Sequence, residues 1–295
     1  MSLRGAKRRG NLFYRFEIAS LQHSPLAMTE RAKWHKVQVG QVIMYNLGMK
    51  LKNRSAIVTG ASTGIGRAIS IALGKEGAFV ALIARNKVLL EETKILVNKA
   101  GGGAEIFPTD LSQIDSINDL IRKIKKITKK VDILLNVAGI WHGINEVYAD
   151  KNLEFFSQKI IMDTFMVGTI APTLLTHAFI PLMPKGSRII NISGTFENGA
   201  KGWLPYFVSK RAIEDLTIGL SQELENKNIF VNAISPSDTA TEAYQKYFPQ
   251  YIKDAISPSE IAKFVIHLCS EETNGVTGKV FVLKKDQKPF EHFHY

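Results

Sequence analysis

The sequence predicts an α/β protein: a doubly wound parallel sheet of seven strands with helices on both faces. Three observations carry this. Short apolar runs recur along the chain without polar alternation, as strands buried on both faces require. Helical stretches separate them, which is the rhythm of a parallel sheet. A glycine-rich turn joins the first run to the first helix, where such sheets bind ligands.

In chain order, Ser55 to Val58 is the first strand, stopping at Thr59-Gly60. A helix follows from Ile65 to about Lys75, then a strand over Ala78 to Ala84 and a third at Ile106-Phe107. Residues 113–129 read as an amphipathic helix and Val131 to Leu135 as the fourth strand. Residues 153–183 read as one long helical stretch with Pro172 inside it. Arg188 to Ile192, Phe230 to Ile234 and Lys279 to Leu283 complete the strands; Pro205 to about Asn226 and Ser259 to Ser270 are helices.

With 295 residues and 45% hydrophobic content the chain can bury one full core. The net charge of +11 is unevenly placed: residues 1–54 hold eleven Lys/Arg against two Asp/Glu, leaving a balance of +2 in the remainder. The basic excess therefore does not mark a nucleic-acid-binding face. Residues 1–48 read as an extension to a domain over 49–295. An Arg-rich leader, a start placed too far upstream and a docked arm all fit it, and a dispensable extension is favoured because Met49 precedes the first strand directly. No run of eighteen apolar residues predicts a membrane span. The single cysteine, Cys269, fits a reducing compartment, so a cytoplasmic protein is expected, or a mitochondrial one if residues 1–48 act as a transit segment. No Cys/His cluster has metal spacing, and no metal is expected.

The turn Thr59-Gly60-Ala61-Ser62-Thr63-Gly64-Ile65-Gly66 fits a phosphate cradle. Gly60 permits the tight turn, Gly64 the close approach of a pyrophosphate, and Gly66 the packing of helix on strand. The helix N-terminus adds unpaired N–H groups for the anion, here Ser62, Thr63 and Ile65 with the glycines. The pattern TGxxxGxG resembles the short-chain dehydrogenase/reductase family, over about residues 50–283. That resemblance implies a Rossmann-type fold and a nicotinamide cofactor. NADP(H) is preferred over NAD(H), because Ala84 stands where NAD-selective members carry an acid and Arg85 suits a 2′-phosphate. Asp110 and Leu111 match the adenine contact, and Asn136, Ala138 and Gly139 match the family's NNAG segment. Pro236 and Thr239 lie in a segment resembling PGxxxT, which contacts the nicotinamide amide, with Ser237 in place of Gly.

Tyr206 and Lys210 are four residues apart and share a helix face. An ammonium beside a phenol lowers the phenol's pKa toward the working range. Ser193 stands thirteen residues before Tyr206, the family's spacing. The resemblance makes Tyr206 the acid/base, Lys210 its partner and a hold on the nicotinamide ribose, and Ser193 a ligand of the substrate oxygen. One departure is clear: within Asp163-Thr-Phe-Met-Val-Gly168, Phe165 replaces the family's catalytic Asn.

Trp141, Phe196, Trp203 and Tyr244 are expected to line an apolar substrate cleft, the last on a lid over Thr239 to Ile256. His142 is expected to face solvent, and the tail around His292 and His294 to fray or meet another subunit. The expected function is NADP(H)-dependent hydride transfer to or from a small carbonyl or alcohol, by a homodimer or homotetramer. The alternative is a cofactor-binding regulatory or scaffold protein with weak turnover because of Phe165. A nucleotide-sugar epimerase fits less well, since such enzymes usually show TGxxGxxG and a larger C-terminal domain.

Overall fold

The computed structural model describes residues 49–294 apart from residue 198; the basic extension of residues 1–48 lies outside the described residues. The strands are β1 (Ser55–Thr59), β2 (Phe79–Ala84), β3 (Gly103–Pro108), β4 (Ile133–Asn136), β5 (Arg188–Ile192), β6 (Phe230–Pro236), β7 (Lys279–Leu283) and β8 (Phe290–Glu291). They form one sheet in the order β3-β2-β1-β4-β5-β6-β7-β8. The first seven are parallel, and β8 pairs antiparallel to β7. The strand order reverses between β1 and β4, and the glycine turn opens there, at the carboxyl ends of the strands.

The helices are α1 (Gly64–Lys75), α2 (Lys87–Lys99), α3 (Ile114–Ile127), α4 (Gln158–Phe165), α5 (Ala171–Phe179), α6 (Leu204–Glu223), α7 (Glu242–Tyr247) and α8 (Pro258–Cys269). Ala56 and Val58 pack with Ile69, Leu73, Leu90, Val265 and Leu268 in one core. Ile57, between them in sequence, joins Ile117, Leu120, Leu175 and Phe179 in a second. Alternate side chains of one strand thus feed two cores, which is why the strands read as unbroken apolar runs.

The structure departs from the sequence reading in four places. Helix α2 lies where no element is expected; Asn86 caps it by accepting from Leu89 N at 3.1 Å, and only Leu90, Thr93 and Val97 are buried along it. The 153–183 stretch is not one helix. It runs as a short 3₁₀ turn at Leu153–Phe155, then α4, a widened π turn at Met166–Ile170, and α5. Pro172, just inside α5, has no N–H to donate, so the ladder is reorganised ahead of it. The sheet has eight strands rather than seven, because the tail pairs with β7 instead of fraying. Finally, Gln158–Leu182 is long and apolar enough by composition to cross a membrane. Its Val167, Ala171, Leu175 and Phe179 are buried in the second core, as in a helix that packs on a sheet.

Candidate active site

The glycine turn is held by backbone contacts that leave no room for side chains. Gly60 has φ +66°, and a Cβ there would lie 3.1 Å from the Ala138 backbone. A Cβ on Gly66 would come 2.2 Å from the Gly60 carbonyl oxygen. The Thr59 hydroxyl accepts from the N–H groups of Val137 and Ala138 at 2.9 and 3.1 Å, tying this turn to the one after β4. Thr63 is exposed and Ser62 half-exposed, and no side chain caps α1. Gly64 N–H donates to the Glu242 carboxylate at 3.0 Å. This part of the turn already takes an anion from the chain's own lid, as a phosphate cradle should.

Arg85 is exposed beyond β2 and forms no ion pair among the described residues. Asp110 accepts from the backbone and hydroxyl of Ser112 at 2.9 and 2.8 Å, which shapes the entry to α3, and Leu111 is buried beneath it. Asn136 donates to Asn191 at 2.8 Å, while its own carbonyl oxygen is buried without a partner among the described residues. A Cβ on Gly139 would lie 3.1 Å from Lys210 Nζ and 3.5 Å from the Tyr206 ring, so this glycine keeps the face of the pair open.

Tyr206 and Lys210 lie on one face of α6, with Nζ 5.4 Å from the centre of the Tyr206 ring. Lys210 Nζ donates to the Ile192 carbonyl at 2.8 Å. Burial pushes its pKa down to about 8, against an upward pull from Glu214. The expected lowering of the Tyr206 pKa does not appear: burial raises it. The ammonium is engaged with the Ile192 carbonyl, and desolvation of the phenolate dominates.

Ser193 is brought next to α6, but its side chain is buried, and its hydroxyl donates to Glu214 Oε1 at 2.5 Å with Lys210 O at 3.1 Å. A hydroxyl has one proton, and this one goes to the Glu214 carboxylate one turn beyond Lys210. Ser193 thus spends its proton on Glu214 in this arrangement. Thr239 is likewise turned inward, donating to Ser237 O at 2.8 Å. Thr241 stands beside the cradle instead, its methyl 2.8 Å from where a Gly64 Cβ would be.

The expected cleft residues do gather. Phe196 and Trp203 lie 5.9 and 6.4 Å from the Tyr206 ring, centre to centre. Trp141 and Trp203 each approach Phe248 of the lid at 6.2 Å, and Trp141 meets Tyr247 edge-on at 6.1 Å. Tyr244 backs this wall: it is buried against Phe248 at 5.3 Å, and burial together with its bond to Asp238 raises its pKa. His142 is half-buried rather than solvent-facing, its ring 5.5 Å from Tyr247.

A short chain dehydrogenase family model matches residues 54–252. The chain belongs to the short-chain dehydrogenase/reductase family. It is 31% identical over 242 residues to an uncharacterized oxidoreductase, YhxC, of Bacillus subtilis, covering 78% of this chain and 83% of that one. It is 32% identical over 251 residues to the 7alpha-hydroxysteroid dehydrogenase of Clostridium sardiniense, covering 78% and 92%. Among solved structures it resembles the angucycline C-6 ketoreductase LanV with bound NADP, with TM-score 0.71 and 28% identity over 79% of this chain and 95% of that one.

Within this family of oxidoreductases the chain keeps the glycine turn and the Tyr–Lys pair. Phe165 closes α4 directly before the π turn, half-buried and without a polar atom on its side chain. Three residues missed in the sequence sit at the site: Thr241, Glu242 and Glu214. Counting PGxxxT from Pro236 ends on Thr241, so that signal was present. Glu214 falls four residues after Lys210 on the same helix, but nothing in the sequence marks it as buried.

Proposed function

We propose that the chain is an NADP(H)-dependent reductase of an apolar, ring-bearing ketone. The observation that carries this is the Tyr206 phenol set at an aromatic cleft with Lys210 beside it. Burial raises the Tyr206 pKa, so the phenol carries its proton at neutral pH, and charge developing on a carbonyl oxygen would draw that proton across. The bound nicotinamide would supply the hydride. Gly60, Ser62, Thr63, Gly64, Ile65 and Gly66 would hold the pyrophosphate, with Glu242 moving aside. Arg85 would pair with the 2′-phosphate, and Asp110 and Leu111 would flank the adenine. Asn136, Ala138 and Gly139 would border the ribose and nicotinamide, and Lys210 would hold that ribose. Pro236 would lie against the nicotinamide amide, with Thr241 taking the place expected of Thr239. Trp141, Phe196, Trp203 and Phe248 would sandwich the substrate. The NADP bound to LanV, and the angucycline and hydroxysteroid in the names of LanV and the Clostridium dehydrogenase, support this reading.

The catalytic domain would span residues 49–295, with 1–48 dispensable. A homodimer or homotetramer is expected, supported by exposed Met162, Ile170, Leu204 and Val208 around α4 and α6.

The test is NADPH oxidation against flat polycyclic ketones, aliphatic ketones, aldehydes, quinones and 3-oxoacyl thioesters, with NADH alongside. Turnover concentrated on cyclic ketones with NADPH preferred supports the reading; equal rates across the panel count against the cleft. Phe165 and the sequestered Ser193 favour a second reading, a cofactor-binding regulator. Tight NADPH binding with no turnover on any member would select it.

A further inference from the structure

Glu214 is a charge that the proposed proton transfer does not use directly. It lies on α6, one turn beyond Lys210 and two beyond Tyr206, and it is completely buried. A buried carboxylate persists only where partners replace its hydration. Here they come from three separate segments. Ser193, on the loop after β5, donates to Oε1 at 2.5 Å. Arg211, on α6 itself, donates to both oxygens at 3.3 and 3.1 Å. The backbone N–H of His294, in the tail beyond β8, donates to Oε2 at 2.8 Å.

The tail is led to that position. Strand β8 pairs with β7, His292 N–H donates to Val280 O at 2.9 Å, and the His294 ring lies 3.3 Å from Asp215. The network also reaches Tyr206 through an aromatic ring. The Arg211 guanidinium lies 5.4 Å from the Phe196 ring, and Phe196 packs on Tyr206 at 5.9 Å.

We propose that Glu214 is a positioning residue. It fastens the C-terminal tail and the Ser193 loop to α6 one turn beyond Lys210, and its negative charge supports the ammonium of Lys210. The proposal rests on the reading that Tyr206 and Lys210 carry the proton. It gives Ser193 a role other than substrate binding, and it gives the last residues of the chain a role in the site. The groups facing Glu214 are Ser193, Lys210, Arg211 and the His294 amide; Lys210 is pushed down by burial and pulled up by Glu214. Without that charge, Lys210 loses its proton at a lower pH.

The test follows the Lys210 ionisation by NMR in the full chain carrying ¹³C-labelled lysine, with the signal assigned by its loss in Lys210→Met. The titration midpoint is expected near the value of about 8 that burial and Glu214 together set. Glu214→Gln should lower it by about one pH unit or more, and Glu214→Asp should restore most of the difference. A chain ending at Phe293, which lacks the His294 amide, should also differ from the parent in midpoint and lose activity. In turnover, the alkaline limb of kcat/KM should move to lower pH in Glu214→Gln by the same amount as the NMR midpoint.

An unchanged midpoint in Glu214→Gln, or equal behaviour of Gln and Asp, overturns the charge role. A Phe293-terminated chain identical to the parent overturns the role of the tail. The NMR midpoint needs no turnover, so an inactive parent would count against the reductase reading and leave this test standing.

Discussion

Ser193, on the loop after β5, and Tyr206, on α6, both lie beside Lys210, and their surroundings give them different work. Ser193 donates its proton to a charged partner, a hydrogen bond worth about 1.5–3 kcal/mol. Ser193→Ala should therefore lower stability by about that amount in denaturant unfolding and cost less than about tenfold in kcat. A loss of about 10²–10³ in kcat with unchanged stability would instead mark a lost donor to the reacting oxygen. Arg85 is exposed and forms no ion pair among the described residues. Arg85→Ala should cut the ratio of kcat/KM for NADPH over NADH by about tenfold or more, measured in paired assays. The spacing of Ser193, Tyr206 and Lys210 was legible in the sequence, but side-chain direction was not. Spacing places Ser193 at the end of β5; only the fold reveals that its hydroxyl bonds the buried Glu214.

The elements that the sequence carried plainly are those with one strong signal. Strands β1, β4 and β5 are apolar on both faces, and α3 keeps a clean stripe of Ile117, Leu120 and Ile124. Helix α2 was missed because exposed Val88, Ile95 and Leu96 blur its period. The π turn depends on how α4 and α5 pack, which local pattern does not encode. Strand β8 has two residues and forms only because β7 offers an edge. The glycine turn is the element most tightly set by sterics. Gly66→Ala should raise the Kd for NADPH by at least about tenfold in a fluorescence titration and lower the Tm, since the added carbon meets a backbone oxygen.

At the scale of the molecule, one sheet places the cradle, Tyr206 and the lid at the carboxyl ends of its strands. The alternation of strands and helices that makes the sheet parallel and the near-neutral charge of residues 55–295 were both readable from the sequence; the order of the strands was not. The convergence of lid aromatics from residues 247–248 on Trp141 and Trp203 was not, because it joins segments about 45 to 107 residues apart. A chain beginning at Met49 should keep its Tm and its KM for NADPH within about threefold, as calorimetry and initial rates would read.

The central claim is that Tyr206 gives the proton. The most direct measurement is single-turnover NADPH oxidation by Tyr206→Phe on the best ketone, with NADPH binding measured on the same preparation. The account predicts a loss of about 10²–10⁴ in rate with the Kd for NADPH unchanged. Retention of most of the parent rate by the phenylalanine variant would contradict it.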